Sequence, residues 1–368
     1  MKKVLILCHH YLDRSPGQRF RFEQYIDYIR ANGFEVEVSY LIDRKKDKVL
    51  YSPGNYFKKF FILLQSLGHR FKDLRRVEDY DLVFIFRETI MIGTSWFERQ
   101  IAKKDVKTVF DFDDAIWIDN VSAGNRALAW LKKPAKTGDI INIVDLVFAG
   151  NWYLENYARQ FNDRVIIMPT TIDTDAYQKH NPKPADSKIC IGWSGSKSTI
   201  MYFDYCLPAL KRIKEKYGDR VEFRVVGDEN YRNEELDIQG MPWQSHTEVE
   251  DIAYMDIGLQ PLPKNKWTEG KCGLKGLQYM AFGTPIVSSP VGSAPVYIRH
   301  GDNAMMAESM DEWFDALSTL IENAELRERM GKAARQTVIE GYSVHAHKDR
   351  YLNAFNELLK PDGDPLSV

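Results

Sequence analysis

Residues 256–292 read DIGLQPLPKNKWTEGKCGLKGLQYMAFGTPIVSSPVG. An apolar run around Ile257 and Leu259 to Leu262 gives way to a polar loop ending at Gly270, after which Leu274, Leu277, Met280 and Ala281 recur at helical spacing. Gly283 closes that helix and Pro285 begins a short buried strand. The expected order is strand, glycine-rich loop, helix, strand. A helix opening on Gly270, Lys271, Cys272 and Gly273 turns unpaired backbone N–H groups, the positive end of its dipole and the ammonium groups of Lys271 and Lys275 toward one point. That point suits a phosphate or diphosphate, although an ordinary βα turn with solvated lysines is spelled with the same letters.

The run GKCGLKGLQYMAFGTPIVSSPVG, with the HGDNAMMA that follows it, closely resembles the carboxyl-terminal signature of family four retaining glycosyltransferases, the glycosyl transferases group one type, of the GT-B fold. The resemblance implies an α/β protein of two Rossmann-like domains whose parallel sheets face a cleft, with a nucleotide-diphosphate-sugar as donor substrate and neither cofactor nor metal. It implies Lys271 as the main catalytic cation, with Glu269, Gly270, Cys272, Gly273, Leu274, Lys275 and Gln278 around the donor. Specific motifs carry it from Lys188 to Tyr342, and the first part of the chain matches in layout.

Many relatives place one glutamate eight positions before another, the later one accepting from the ribose hydroxyls. Here those positions are Gly270 and Gln278. A neutral acceptor in place of an ionised one is expected to weaken donor binding by roughly tenfold. Glu269, one position off register, is the expected substitute for the missing sugar contact.

At 368 residues the chain is long enough for two domains. Its net charge of −2 lacks the basic excess of nucleic-acid binders, so any anion site is local. Cys8, Cys190, Cys206 and Cys272 are widely spaced with no metal-ligand pattern, which fits a reducing, cytoplasmic setting without a disulfide framework. The amino-terminal MKKVLILCHH has too short an apolar run for a signal peptide and reads as a first strand.

In chain order, Lys3 to Cys8, a helix striped by Phe20, Tyr25, Ile26 and Ile29, and Glu35 to Leu41 make a βαβ opening without a dinucleotide fingerprint. The resemblance places its loop at the cleft, where Gly17, Arg19 and Arg21 would touch donor phosphate or acceptor; an exposed basic first turn is the other reading. Residues 56–77, YFKKFFILLQSLGHRFKDLRRV, interleave six basic residues with aromatics against the single acid Asp73. This is either a core-packed helix with a solvated basic face or an interfacial contact on a membrane surface, peripheral on its inner face.

Strands from Asp81 to Phe86, Val106 to Phe110 and Leu146 to Ala149 alternate with helices, which argues for a parallel sheet. FDFDDAIW clusters Asp111, Asp113 and Asp114 at a strand end. Carboxylates so clustered are a metal motif in another glycosyltransferase fold, but the resemblance implies a loop over the acceptor, with Asp114 orienting its hydroxyl; the plain alternative is a helix N-cap. Arg87 and Asn151 end strands at the same sheet edge. Residues 1–180 are the expected acceptor domain, 181–342 the donor domain, and helix 343–368 is expected to cross back to the first, with His180 to Lys188 as linker.

After the strand Lys188 to Trp193, the small residues Ser194, Gly195 and Ser196 let the backbone approach a ligand, and Lys197 supplies charge. One helix is expected from Tyr202 to Tyr217. Gly227 and Trp243 lie where such folds lodge the base. The acceptor implied is a glycan, lipid-linked sugar or protein in bacterial surface-polysaccharide synthesis. A sugar-nucleotide epimerase would need paired carboxylates that the sequence does not display, and a non-catalytic partner or glycan-binding subunit would fit the missing glutamates.

Overall fold

The computed structural model describes residues 1–52, 54–118, 133–178, 183–184 and 187–360. The chain forms two compact units, Met1–Pro169 with His347–Val368, and Thr170–Ala346. Of the linker expected at 180–188, residues 180–182 and 185–186 lie outside the described set, as does the polar tail 361–368. The division falls after Pro169 rather than at 180. The reason is local pairing: Ile172 forms a bridge with Ser343, donating to the Tyr342 carbonyl at 2.8 Å and accepting from Val344 at 3.0 Å.

The first unit is built on six parallel strands: β1 (Lys2–His10), β2 (Phe34–Ile42), β3 (Leu82–Phe86), β4 (Lys107–Phe112), β5 (Leu146–Ala149) and β6 (Val165–Ile167). Their spatial order is β2-β1-β3-β4-β5-β6, so the chain reverses its direction of travel between β1 and β3. Every residue of β3 is buried, as are Val4 to Cys8 of β1, and strands covered on both faces read as such continuous apolar runs. The Val344–Leu358 helix joins this unit from His347 onward. Tyr351 stacks on Tyr25 with centroids 4.4 Å apart, and Phe355 packs against Phe34, Phe84 and Phe148. Two fully buried aromatics of this size contribute roughly 1.5–3 kcal/mol each in area terms.

The opening helix is more broken than its stripe suggests: Pro16–Arg19, a 3-10 turn Glu23–Tyr25 and Ile26–Ala31 follow one another.

The second unit contains β7 (Ile189–Ser194), β8 (Val221–Val226), a short antiparallel pair β9 (Arg232–Asn233) and β10 (Ile238–Gln239), then β11 (Ile257–Gln260), β12 (Ile286–Ser288) and β13 (Met305–Met306). Its main sheet is five parallel strands in the order β13-β12-β11-β7-β8, which reverses between β7 and β11. The single helix expected from Tyr202 to Tyr217 is two, Ile200–Tyr205 and Leu207–Tyr217, divided at Cys206 because Pro208 sits in the first turn of the second. Trp313, fully buried, packs in this unit's core with Trp193, Leu317 and Leu320.

Both units are parallel α/β layers, and in such sheets ligands bind beyond the carboxyl ends of the strands where the order reverses.

Candidate functional site

In the second unit the reversal point is flanked by Ser194 at the end of β7 and Gln260 at the end of β11. The helix following β11 is Leu274–Ala281. It starts later than expected: Thr268–Gly270 is a 3-10 turn, Lys271 is extended, and Gly273 is the N-cap in the left-handed region at φ 74°. A Cβ at Gly273 would also lie 2.7 Å from the Tyr297 ring, so both the turn and the close packing require glycine.

The first turn is less open than the sequence implies. The Gly276 N–H donates to Oε1 of the buried Gln260 at 2.7 Å, and Gln260 Nε2 reaches Ser288 Oγ and Tyr297 Oη, both at 2.9 Å. An added Cβ at Gly276 would stand 2.4 Å from that Oε1. Gln260 thus pins the helix start to the strand end, and was missed because a glutamine closing a strand carries no motif.

Three stretches, 193–199, 227–241 and 275–279, meet at this place. Lys275 Nζ lies 5.3 Å above the Trp193 ring, and the same ring lies under Gly195, where a Cβ would fall 2.1 Å from it. The Ser194 N–H donates to the Tyr279 hydroxyl at 2.7 Å. Gly227, at φ 128°, comes so close that its Cβ would lie 2.1 Å from the Gly195 carbonyl oxygen. The Met241 carbonyl accepts from Gly227 N–H at 2.8 Å, and Trp243, two residues on, is half-buried. Lys271 Nζ sits 5.0 Å over Trp267. Ser196 and Thr199 form a capping box that orders the exposed Lys197 turn.

The geometry corrects several expectations. Gln278 is 3 % exposed and its amide donates to Glu248 Oε1 at 3.1 Å and to Tyr177 Oη at 3.2 Å, so its side chain is occupied by protein. Gly195 is small because Trp193 packs where its Cβ would lie. The Cys272 thiol is buried and points to the Gly270 carbonyl at 3.8 Å, and Gly270 is buried too. Glu269 Oε2 accepts from Gly292 N–H at 3.3 Å, which ties it to the following loop. Leu274 is the half-buried first residue of the helix.

In the first unit the reversal point lies between the ends of β1 and β3, at His9, His10 and Arg87. Arg87, itself at φ 62°, donates to Asp111 O through its N–H and holds Asp113 at 2.7 Å and Asp114 at 2.9 Å through its guanidinium. A strained backbone of this kind costs about 1–3 kcal/mol and persists only where surroundings enforce it. Gly17 packs against the pair, with Asp113 Oδ2 at 2.8 Å from where its Cβ would be. Gly17, Arg87, Asp113 and Asp114 therefore form one cluster.

The side chains of Arg21, Asp111 and Asn151 are taken up by other protein groups. Arg21 and Asp111 are fully buried in a forked ion pair, and Arg21 also donates to the Met168 carbonyl at 2.7 Å. Asn151 is a buried N-cap accepting from Leu154 N–H at 2.9 Å. Arg19 pairs with Asp13 at 2.8 Å.

The sequence reading missed His9 and His10. Burial, reinforced by His10, Arg70, Lys136 and Arg87, holds His9 well below the usual imidazole range. Burial and Arg14 bring His10 down to about 4 against the opposing pull of Asp47. His9 Nε2 is buried without a hydrogen-bond partner among the described residues, and His10 Nε2 lies 3.2 Å from Tyr51 Oη. All four cysteines are free and buried, and burial pushes Cys8 and Cys190 up to about 12.

Two parallel α/β units, of six and five strands, together with the whole-chain structural neighbours that follow, give the GT-B fold. Across nearly its whole length the chain superposes on sucrose-phosphate synthase from Thermosynechococcus elongatus, with a TM-score of 0.72 at 12% identity over 97% of this chain and 99% of that one. Anabaena HepE in complex with UDP and glucose follows at 0.68 and 14% identity over 97% and 100%. Residues 189–323 match the family model described as Glycosyl transferases group 1, so the second unit carries a domain of that type. D-inositol 3-phosphate glycosyltransferase from Corynebacterium efficiens is 38% identical over 64 residues, which is 17% of this chain and 15% of that protein. The aligned part is thus a small fraction of the curated relative's length.

Proposed function

We propose that the protein is a retaining glycosyltransferase that moves a sugar, a hexose or a related one, from a nucleotide-diphosphate-sugar to a glycan, glycolipid or protein acceptor without a metal. The second unit takes the donor and the first unit the acceptor. In the transfer, the bond from the anomeric carbon to the diphosphate oxygen breaks as the acceptor oxygen bonds to that carbon on the same face. The acceptor proton passes to the leaving phosphate, so no nucleophilic carboxylate is needed. Charge developing on the diphosphate is met by Lys271, Lys275 and Lys197 and by the amino end of the Leu274–Ala281 helix, dipoles already oriented before the reaction. Synthesis of bacterial surface polysaccharide at the inner face of the cytoplasmic membrane is the setting this reading gives.

The observation that carries it is the meeting of Lys275, Gly195 and Gly227 at the reversal point between β7 and β11. That HepE was crystallised with UDP and glucose supports a nucleotide-sugar as donor. The experiment is a panel of nucleotide-sugars scored for thermal shift, donor hydrolysis and transfer, with wild type beside Lys271→Ala. Turnover that the lysine variant loses bears the reading out; equal turnover in the two sinks it.

A second reading, a nucleotide-binding subunit without turnover, is favoured by one feature: the position where relatives carry the ribose-binding glutamate is Gln278, turned inward to Glu248. It predicts thermal shift with no product across the panel.

A further inference from the structure

The Tyr56–Arg76 helix of the first unit has one buried face and, among the described residues, a second that carries exposed large apolar side chains. Ile62, Ser66, Arg70 and Asp73, spaced by three or four residues, are buried. Ile62 joins Leu41, Ile42, Ile90 and Phe97 in a core cluster against which Leu63, Leu67 and Leu74 also pack. Asp73 accepts from Arg70 at 2.8 Å and from Ser39 at 2.6 Å, so the helix's one acid is used internally.

Half a turn away, Phe57, Phe60, Phe61, Leu64 and Phe71 follow the same helical spacing on the opposite side. They are 76%, 55%, 47%, 45% and 45% exposed. Phe57 and Phe61 pack edge to face at 4.9 Å, and Phe71 lies 5.5 Å from the half-exposed Trp96, which extends the patch. Exposed Lys58, Lys72 and Arg75 lie on the same helix, which itself carries no acid but the internally used Asp73, and Glu37 is within electrostatic reach of Lys72. Large contiguous apolar surface of this kind marks an interaction site. A core-packed helix with a solvated basic face would put only the charges outward, whereas here the phenylalanines are outward too.

We infer that this face docks on an anionic lipid surface, the phenylalanines entering the headgroup and acyl boundary while Lys58, Lys72 and Arg75 meet lipid phosphates. Charge complementarity selects this occupant over a second copy of the chain, because copies facing each other through this side would oppose the same cations. The attachment is peripheral: among the described residues no helix is long and apolar enough to cross a membrane. The surface belongs to the first unit and stands whether or not the donor assignment does.

The test is co-flotation of the whole protein with vesicles of phosphatidylcholine alone and of equal parts phosphatidylcholine and phosphatidylglycerol. Flotation with the anionic vesicles only, reduced by salt, is the expected result. Neutralising Lys58, Lys72 and Arg75 to Gln should lower partitioning by about fivefold for each residue. Phe57→Ser/Phe60→Ser/Phe61→Ser should abolish it with the melting temperature unchanged, since none of the three enters the core cluster. Absence of flotation, or equal flotation with both vesicles, overturns the inference. A dimer seen by light scattering that the serine variant abolishes, without flotation, assigns the face to a second copy instead.

Discussion

Gln278 donates its side-chain amide to the Glu248 carboxylate across 3.1 Å, and Tyr177 Oη donates to the other oxygen at 3.2 Å. The three are buried together, so the position that the sequence pattern offers to a ribose serves instead to anchor the middle of the Leu274–Ala281 helix. Restoring the glutamate of the pattern should therefore not restore its function. Gln278→Glu would set two carboxylates against each other out of water, at a cost of roughly 3 kcal/mol. The new carboxyl's folded pKa would rise above its unfolded value near 4.3, so the penalty is absent at low pH and grows as pH rises. Urea unfolding at acid and neutral pH checks this, with nucleotide affinity measured beside it; tighter nucleotide binding with unchanged stability would contradict the arrangement.

Gly276 offers a sharper probe of the helix start. Gly276→Ala would push Gln260 Oε1 off the amide it caps and disturb Ser288 and Tyr297 with it. The expected loss is about 1–3 kcal/mol for the buried polar group left unpaired. Because the dipole end is displaced as well, donor affinity should fall in the same variant. Calorimetry with a nucleoside diphosphate at a temperature where the variant is folded separates the two effects.

A pH dependence follows from His9 and His10. Both have folded pKa values below the unfolded value near 6.5, so each binds its proton more readily when unfolded. Their contribution to stability is complete above that value and drains as pH falls, through about 4 for His10 and further for His9. The slope is about 1.4 kcal/mol per pH unit for each histidine while it titrates. Comparing unfolding free energies of wild type and His9→Gln/His10→Gln between neutral pH and pH ~5 isolates this share from that of the carboxylates, since only the double variant lacks it.

What the sequence made legible was whatever is written in neighbouring letters. The glycine and lysine run around Lys271, the buried strands and their parallel alternation follow from spacing. The misreadings share a cause: each depended on a partner far along the chain. Arg21 looked like a ligand contact until the sheet delivered Asp111, 90 residues on, to its guanidinium. Gln278 looked open until Glu248 and Tyr177 met it. His9 and His10 carry no motif and gained meaning only from lying at the reversal point between β1 and β3. Pro208 was a local signal, and the break at Cys206 could have been read from it.

Asp114 and Lys271 should separate in kinetics. Asp114→Asn keeps the shape but weakens the hold on Arg87, so the acceptor KM should rise while donor binding stays as in wild type. Lys271→Ala should lower kcat by one to two orders of magnitude or more, as for loss of a group that stabilises developing charge. Steady-state rates with each substrate varied in turn decide it. An Asp114 variant that changes donor affinity alone would contradict the proposed assignment of donor and acceptor to the two units.

The Arg21–Asp111 pair bears on stability. Both groups are out of water, and the fork of the guanidinium meets both carboxylate oxygens while its remaining nitrogen reaches Met168. Removing one partner strands the other as a buried charge, so Arg21→Met or Asp111→Leu should each cost about 3–5 kcal/mol. The double replacement strands neither and should recover most of that loss, because apolar groups of similar volume often match a buried ion pair in stability. A double-mutant cycle in urea reads the coupling directly. If either single variant unfolded at the wild-type midpoint, the pair would have to be open to water, and Arg21 would return to the set of residues able to meet a ligand.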